Sequence, residues 1–133
     1  MGKNKEILIL RDPAPDGEWA RARRIAIAGG PGAGKTTLAA ALGRDDVLST
    51  DDFMHWDWED VPSFVEVALA NRPTWVLEGV QVARCLRFWW PDVPADVVVW
   101  LSGAHEPLSR RQAGMGRGVA RIFEEWERVV ASK

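Results

Sequence analysis

One segment of the chain has the residue types and the spacing to hold a chain of phosphates. Residues 29–36 read Gly-Gly-Pro-Gly-Ala-Gly-Lys-Thr and fit G-x-x-x-x-G-K-S/T, the pattern of a phosphate-binding loop, or P-loop. The glycines let successive backbone N–H groups point at phosphate oxygens, and a helix beginning near Lys35 adds the positive end of its dipole. Lys35 can reach the β- and γ-phosphates, and the Thr36 hydroxyl can ligate Mg²⁺. The predicted nucleotide-binding residues are Gly30, Pro31, Gly32, Ala33, Gly34, Lys35, Thr36 and Thr37.

The residues around this loop predict the strand and the helix that position it. Residues 25–28 are a short apolar run typical of a buried strand, and residues 37–42 predict a helix that Gly43 ends. Strands alternating with helices favour an α/β, three-layer P-loop NTPase fold: a mostly parallel sheet of about five strands with helices on both faces. The other predicted strands are 7–10, 47–49, 74–77 and 96–101, and the other helices are 62–71, 83–88, 106–112 and 119–131, with a glycine-rich break at 114–116.

Acidic side chains follow two of these strands at the point where each strand ends. Asp51 and Asp52 come after residues 47–49, and Glu78 comes after residues 74–77. Because ligands of parallel sheets bind at the carboxyl ends of the strands, we expect these acids beside the phosphates. Asp51 is the candidate catalytic base or metal ligand, and Glu78 is a candidate ligand of Mg²⁺ or of substrate. The alternative for Asp51 and Asp52 is a structural role as caps of a turn or helix.

The order of these motifs resembles the uridine kinase and nicotinamide riboside kinase branch of the P-loop kinases. Besides the P-loop, the resemblance rests on Thr-Asp-Asp-Phe at residues 50–53 and Trp-Val-Leu-Glu-Gly at residues 75–79. It runs from about Arg24 to Arg117, in a shortened form. It implies ATP and Mg²⁺ as cofactors and gives Asp51 the role of base or metal partner.

The resemblance also implies elements near the end of the chain. Relatives continue into another strand and an adenine-contacting loop, and we expect residues 7–10 to fill that sheet position from the other end of the chain. Arg110 and Arg117 lie where such kinases keep a lid, here short and at about residues 109–118. Since arginine stabilises charge on a transferring phosphoryl group, Arg110 and Arg117 join Lys35 and Asp51 as candidate catalytic residues. Solvated helix arginines are the alternative.

The aromatic content is unusual, with eight tryptophans and no tyrosine. Trp56 and Trp58 follow Asp51 in a polar loop, and stacking of a flat ring on an aromatic side chain is worth roughly 1–3 kcal/mol. Packing within the loop is the alternative for both. The candidate substrate-binding residues are Asp52, Phe53, Trp56, Trp58, Glu78 and Arg84.

Length and composition limit the classes of protein. A chain of 133 residues favours a single domain, and the resemblance implies that residues 1–133 form one P-loop kinase domain. The net charge of −2 provides no chain-wide attraction to nucleic acid or to a membrane. Cys85 is the only cysteine, which excludes an internal disulfide. Because no apolar run resembles a signal peptide or a membrane span, we expect a cytoplasmic protein.

These features together predict a Mg²⁺-dependent kinase that transfers the γ-phosphate of ATP to a hydroxyl of a small acceptor. A nucleoside-like molecule is one candidate acceptor. Two alternatives stay open: a phage-like nucleic-acid kinase acting on a 5′ end or a hydroxymethylated base in DNA, and a nucleotide-hydrolysing switch or ATPase. A GTPase should carry Asn-Lys-x-Asp to read guanine, and the sequence has none.

Overall fold

The computed structural model describes residues 6–53, 57–103 and 107–131 of the chain. Within these residues the strand order of the sheet is β1-β5-β2-β4-β3, and every neighbouring pair runs parallel. The predicted α/β architecture with a sheet of about five strands is confirmed. The strands are β1 (Leu8–Arg11), β2 (Arg24–Gly29), β3 (Val47–Ser49), β4 (Trp75–Glu78) and β5 (Val97–Leu101).

Helices cover both faces of the sheet, which is the middle of three layers. Alternate residues of β2 face opposite ways: Ile25 and Ile27 join one apolar cluster, while Ala26 and Ala28 join the other. The first cluster includes residues of α1 and of a 3₁₀ helix, and the second includes residues of α2, α3 and α4. These helices are α1 (Lys35–Ala41), the 3₁₀ helix Glu18–Arg21, α2 (Val61–Leu69), α3 (Val82–Trp89) and α4 (Arg110–Ala131).

β1 occupies one edge of the sheet, beside β5. Leu8 pairs with Val97 and Arg11 pairs with Trp100, in parallel register. The expectation that residues 7–10 join the sheet from the other end of the chain is confirmed. Because β1 runs parallel to β2, the loop that follows it emerges at the same edge of the sheet as the P-loop.

The long helix α4 corrects the sequence analysis. The predicted break at residues 114–116 is wrong, because α4 is continuous from Arg110 to Ala131. The helix passes closely over the P-loop, since a Cβ added to Gly30 would lie only 3.0 Å from the Cα of Gly116. Packing against the P-loop and the core thus keeps this stretch helical despite its glycines. The lid stays a prediction, and residues 110–118 of it are the first turns of α4.

Three tryptophans and the single cysteine are buried in the core. Trp75, Trp100 and Trp126 are each less than a tenth exposed, and the ring of Trp100 stacks on Phe123 with 4.6 Å between ring centroids. Cys85 is fully buried in α3, and this burial raises the pKa of its thiol to about 12. The thiol is therefore protonated and unreactive in the folded protein. None of the helices in the described ranges has the length and apolar character that crossing a membrane requires.

The continuity of α4 can be tested with Gly118. Gly118→Ala is expected to raise the free energy of unfolding by roughly 0.5–1 kcal/mol, because alanine has the higher helix propensity. The added Cβ would meet nothing within 4 Å. Urea unfolding followed by circular dichroism measures the change. Gly30→Ala is the contrasting variant and should lower the free energy of unfolding, since its Cβ would press on Gly116. A lower free energy of unfolding in Gly118→Ala would contradict a continuous helix through this stretch.

Candidate active site

The P-loop has the backbone conformation that its glycines permit. Gly32 and Gly34 have φ angles of +74° and +95°, which side-chain-bearing residues rarely adopt. Gly34 is the N-cap of α1, so the helix begins at Lys35 and its first backbone N–H groups face the loop. The arrangement provides a nest of N–H donors for an anion.

Lys35 is buried beneath this loop. Its side chain is 8% exposed, and its Nζ donates a hydrogen bond to the carbonyl oxygen of Gly30 at 2.5 Å. Burial lowers the pKa of Lys35 below its usual 10.5, and the carboxylates of Glu78 and Asp51 partly oppose this shift. The ammonium is held where a phosphate could reach it, and an additional negative charge there would raise its pKa.

Two carboxylates lie at the carboxyl ends of neighbouring strands, as predicted. Glu78 ends β4 and is 4% exposed, and it accepts a hydrogen bond from the Thr36 Oγ1 at 3.2 Å. Asp51 is exposed on a 3₁₀ helix, Thr50–Phe53, that follows β3 directly. Its backbone N–H donates to the Ser49 Oγ at 3.1 Å. Asp51 borders the same cavity as the P-loop, and it also lies in the first turn of this 3₁₀ helix, so the capping alternative stays open.

The oxygen donors at this point have the chemistry that Mg²⁺ prefers. Mg²⁺ is usually held by one or two carboxylates together with substrate phosphates, rather than by a cage of protein ligands. Thr36, Asp51 and Glu78 provide one hydroxyl and two carboxylates around one cavity. Among the described residues no cluster of three or more His, Cys, Asp or Glu side chains could bind a metal unaided. The donor set fits a cation shared with phosphates.

Gly79 allows the two strand ends to meet. Its φ is +140°, and a Cβ at this position would lie 1.8 Å from the Thr50 Oγ1. The residue after Glu78 is therefore packed directly on the residue before Asp51. The Thr50 Oγ1 also accepts a hydrogen bond from the backbone N–H of Gln81 at 3.4 Å. Close backbone packing thus places the two carboxylates on one side of the P-loop.

A cavity of about 790 Å³ opens beside the P-loop. The predicted nucleotide-binding residues line it except Gly30, which packs on α4. The loop after β1 (residues 12–17, here the N-terminal loop) forms another part of the wall. The lining residues are Asp12, Pro13, Pro15, Pro31, Gly32, Ala33, Gly34, Lys35, Thr36, Thr37, Leu38, Ala41, Asp51, Glu78, Val80, Leu101 and Ser102.

Sequence reasoning missed the N-terminal loop as part of the site. Asp12, Pro13 and Pro15 are not among the site residues predicted from the sequence. The signal that could have identified them is the expected place of residues 7–10 in the sheet, since the loop after a parallel strand lies at its carboxyl end. Ser102 was also missed, and the same signal applies to it, because it follows the parallel strand β5.

Most of the predicted substrate-binding residues lie outside the lining of the cavity. Arg84 donates from Nη1 to the Trp58 carbonyl oxygen at 2.5 Å and to the Gln81 Oε1 at 2.8 Å, and its guanidinium lies 5.2 Å from the Trp58 ring centroid. Partial burial and the neighbouring Arg87 lower the pKa of Arg84. These contacts connect the 3₁₀ helix Trp58–Asp60 to α3, outside the cavity lining.

The remaining predicted residues differ in their surroundings. Asp52 is exposed, and Phe53 is half-buried against the core. Arg110 and Arg117 are exposed on the first turns of α4 and do not line the cavity. Trp56 lies outside the described residues. Of the predicted substrate residues that the structure describes, Glu78 alone borders the cavity.

Comparisons with known proteins bear on the fold. The chain matches no protein-family model and no curated protein. Its structure is similar to that of the shikimate kinase from Acinetobacter baumannii in complex with shikimate, with a TM-score of 0.51 and 22% sequence identity. The match covers 84% of this chain and 82% of that one. This likeness shows the three-layer P-loop fold; the uridine kinase branch stays a prediction.

The close approach at Gly79 predicts a large effect of a small substitution. Gly79→Ala combines an unfavourable φ with a collision against Thr50, so it should lower the free energy of unfolding by more than about 3 kcal/mol or prevent folding. Gly43→Ala is the matched control: its φ is also positive, at +67°, but its Cβ would meet nothing within 4 Å. That variant should lose only about 1–2 kcal/mol. Equal losses in urea unfolding would contradict the Thr50–Gly79 contact.

The shifted pKa of Lys35 predicts proton uptake on binding of a polyphosphate. The free pKa lies below 10.5 because of burial, and phosphate charge should raise it. At a pH between the free and the bound pKa, ATP binding should therefore take up protons. Calorimetry at alkaline pH in buffers of different ionisation enthalpy measures this number. Lys35→Arg keeps a charge that does not titrate, and uptake of the same size in that variant would refute the assignment to Lys35.

Proposed function

We propose that this protein is a Mg²⁺-dependent kinase that transfers the γ-phosphate of ATP to a hydroxyl of a small acceptor, with a nucleoside-like molecule as one candidate. The observation that carries the proposal is the composition of one cavity. It joins the nest of the P-loop, the buried Lys35 and the Thr36 hydroxyl to the carboxylates of Asp51 and Glu78. Phosphoryl transfer requires a phosphate cradle, a metal and a group that accepts the proton of the acceptor.

The buried groups suit the nucleotide and the metal. The P-loop N–H groups and Lys35 would hold the β- and γ-phosphates, and Thr36 with Glu78 would hold Mg²⁺. The metal, when bound, neutralises charge that develops on the phosphate oxygens. The hydrogen bond from the Thr36 Oγ1 to the Glu78 Oε1 holds these two oxygen ligands beside each other. Lys35 adds a positive charge that is already in place, so the site does not have to rearrange when charge develops on the phosphate.

Asp51 is the better candidate for the base. Glu78 is 4% exposed and already accepts the Thr36 hydroxyl, whereas Asp51 is exposed and borders the cavity. An acceptor that enters from solvent can reach the Asp51 carboxylate without displacing a buried contact. A carboxylate at this position can take the proton of the attacking hydroxyl or add to the metal ligands.

A small acceptor is supported over nucleic acid. The kinase of similar fold was solved with shikimate, a small molecule. The chain has a net charge of −2, and binding of a phosphate backbone depends on clustered basic residues. A base within duplex DNA would also have to be flipped out of the helix.

The proposal is tested by transfer from γ-labelled ATP, with Mg²⁺, to a panel of nucleosides, other small alcohols, and DNA with or without hydroxymethylated bases. Asp51→Asn should lower transfer by roughly 10²-fold or more while ATP binding stays near the wild-type value. Lys35→Ala should weaken both ATP binding and transfer. The matched control is Asp45→Asn, the same chemical change on an exposed residue before β3, which should leave both unchanged.

Each outcome of this assay has a defined meaning. Label on a small molecule that is lost in Asp51→Asn supports the proposed kinase. Label on DNA would replace it with a nucleic-acid kinase, and release of phosphate with every acceptor would replace it with an ATPase. Transfer at the wild-type rate by Asp51→Asn would contradict the role of Asp51 and would leave the proposed kinase activity in place.

A further inference from the structure

The cavity has two sides, which the order of the strands defines. The P-loop follows β2 at the centre of the sheet. On one side of it, β4 and β3 lead to Glu78 and Asp51. On the other side, β5 and β1 lead to Ser102 and to the N-terminal loop. If the γ-phosphate and the acceptor meet beside the carboxylates, the side along β5 and β1 is left for the rest of a bound nucleotide.

The N-terminal loop is held firmly at its first residue. The backbone N–H of Asp12 donates to the Trp100 carbonyl oxygen at 2.9 Å. Its carboxylate accepts hydrogen bonds from the Ser102 N–H at 3.0 Å and from the Ser102 Oγ at 2.5 Å. Asp12 has a φ of +48°, a conformation that aspartate tolerates better than most residues. These bonds keep Asp12 in place beside the cavity.

The loop is also anchored at its far end. The Trp19 ring is 8% exposed, belongs to the apolar cluster that includes Leu38 of α1, and donates from Nε1 to the Ala14 carbonyl oxygen at 2.8 Å. The backbone N–H of Gly17 donates to the same oxygen at 3.2 Å. A Cβ on Gly17 would lie 2.6 Å from the Trp19 ring, so the loop is packed directly on it. With both ends fixed, the residues between them form a preorganised surface.

Two of the three residues by which this loop lines the cavity are prolines, and the third is Asp12. Pro13 and Pro15 line the cavity, with Leu101 of β5 and with Leu38 and Ala41 of α1. Proline rings have a fixed φ and lose little entropy when a ligand packs on them. Small-molecule sites are mostly apolar walls with a few placed polar groups, and their volumes run from about 300 to 1,000 Å³. The cavity of about 790 Å³ lies within this range.

We propose that the N-terminal loop forms the nucleobase wall of the nucleotide site, with Pro13 and Pro15 in contact with the base. This inference rests on the proposed function in requiring that a nucleoside triphosphate binds at the P-loop. The Asp12–Ser102 hydrogen bonds and the Trp19–Ala14 hydrogen bond position the two prolines. The binding energy of the base thus comes from a segment before the P-loop in the chain.

The test compares binding of ATP with binding of inorganic tripolyphosphate, which has no base, both with Mg²⁺. In the variant Pro13→Ala with Pro15→Ala, the affinity for ATP should fall about tenfold, because apolar contact with the base is lost. The affinity for tripolyphosphate should stay at the wild-type value. Pro73→Ala, at an exposed proline in the loop before β4, is the control for loss of a proline and should change neither. Unchanged ATP binding, or an equal loss for both ligands, would overturn the inference.

A second measurement uses the wild-type chain, so it does not depend on how the variant folds. Nuclear Overhauser contacts between the base protons of bound ATP and the ring protons of Pro13 and Pro15 are expected. Base contacts that go only to other residues would overturn the nucleobase wall and leave nucleotide binding intact. If neither ATP nor tripolyphosphate binds to the wild-type chain, the proposed function fails, and the inference fails with it.

Discussion

The candidate site depends on a contact between two pieces of chain with no room for a side chain between them. Gly79 lies against Thr50 so closely that any other residue at position 79 would overlap the threonine hydroxyl. Glu78 precedes this glycine and Asp51 follows this threonine, so the contact sets how far apart the two carboxylates stand. The ends of β3 and β4 cannot spread without breaking it, and the rest of the site is built on their position.

The electrostatics of the site follow from this arrangement. A buried ammonium is unfavourable unless it is paired, and Lys35 is stabilised by a backbone carbonyl and by the fields of Glu78 and Asp51. The pKa remains lowered, so the carboxylates only partly offset the loss of water. A triphosphate would complete the pairing. The folded protein thus holds a positive charge in place before any anion binds, and under the proposed function this charge would stabilise the transferring phosphate.

Local patterns in the sequence were enough to predict the residues at the centre of the site but not those at its edges. The P-loop, its strand and helix, and the acids at strand ends are encoded within short segments, and each was predicted at its position. The N-terminal loop was not: residues 7–10 were expected in the sheet, as their pairing with β5 confirms, but Asp12, Pro13 and Pro15 have no local pattern that marks a ligand site. The helix through Gly114 and Gly116 was missed because packing outweighed propensity. The Arg84–Trp58 contact depends on side-chain geometry that residue types alone do not specify.

The pairing of β1 with β5 also orders the events of synthesis. Among the described strands, β1 leaves the ribosome before its partner β5, and the other three strands lie between them in the chain. The contacts of β2 with β4 can form earlier, since both precede β5 in the chain. The wall made by the N-terminal loop therefore closes only after Trp100 and Ser102 have emerged, and contacts this far apart in sequence form slowly. In a nascent chain the P-loop can therefore form before the wall of the cavity that the N-terminal loop provides.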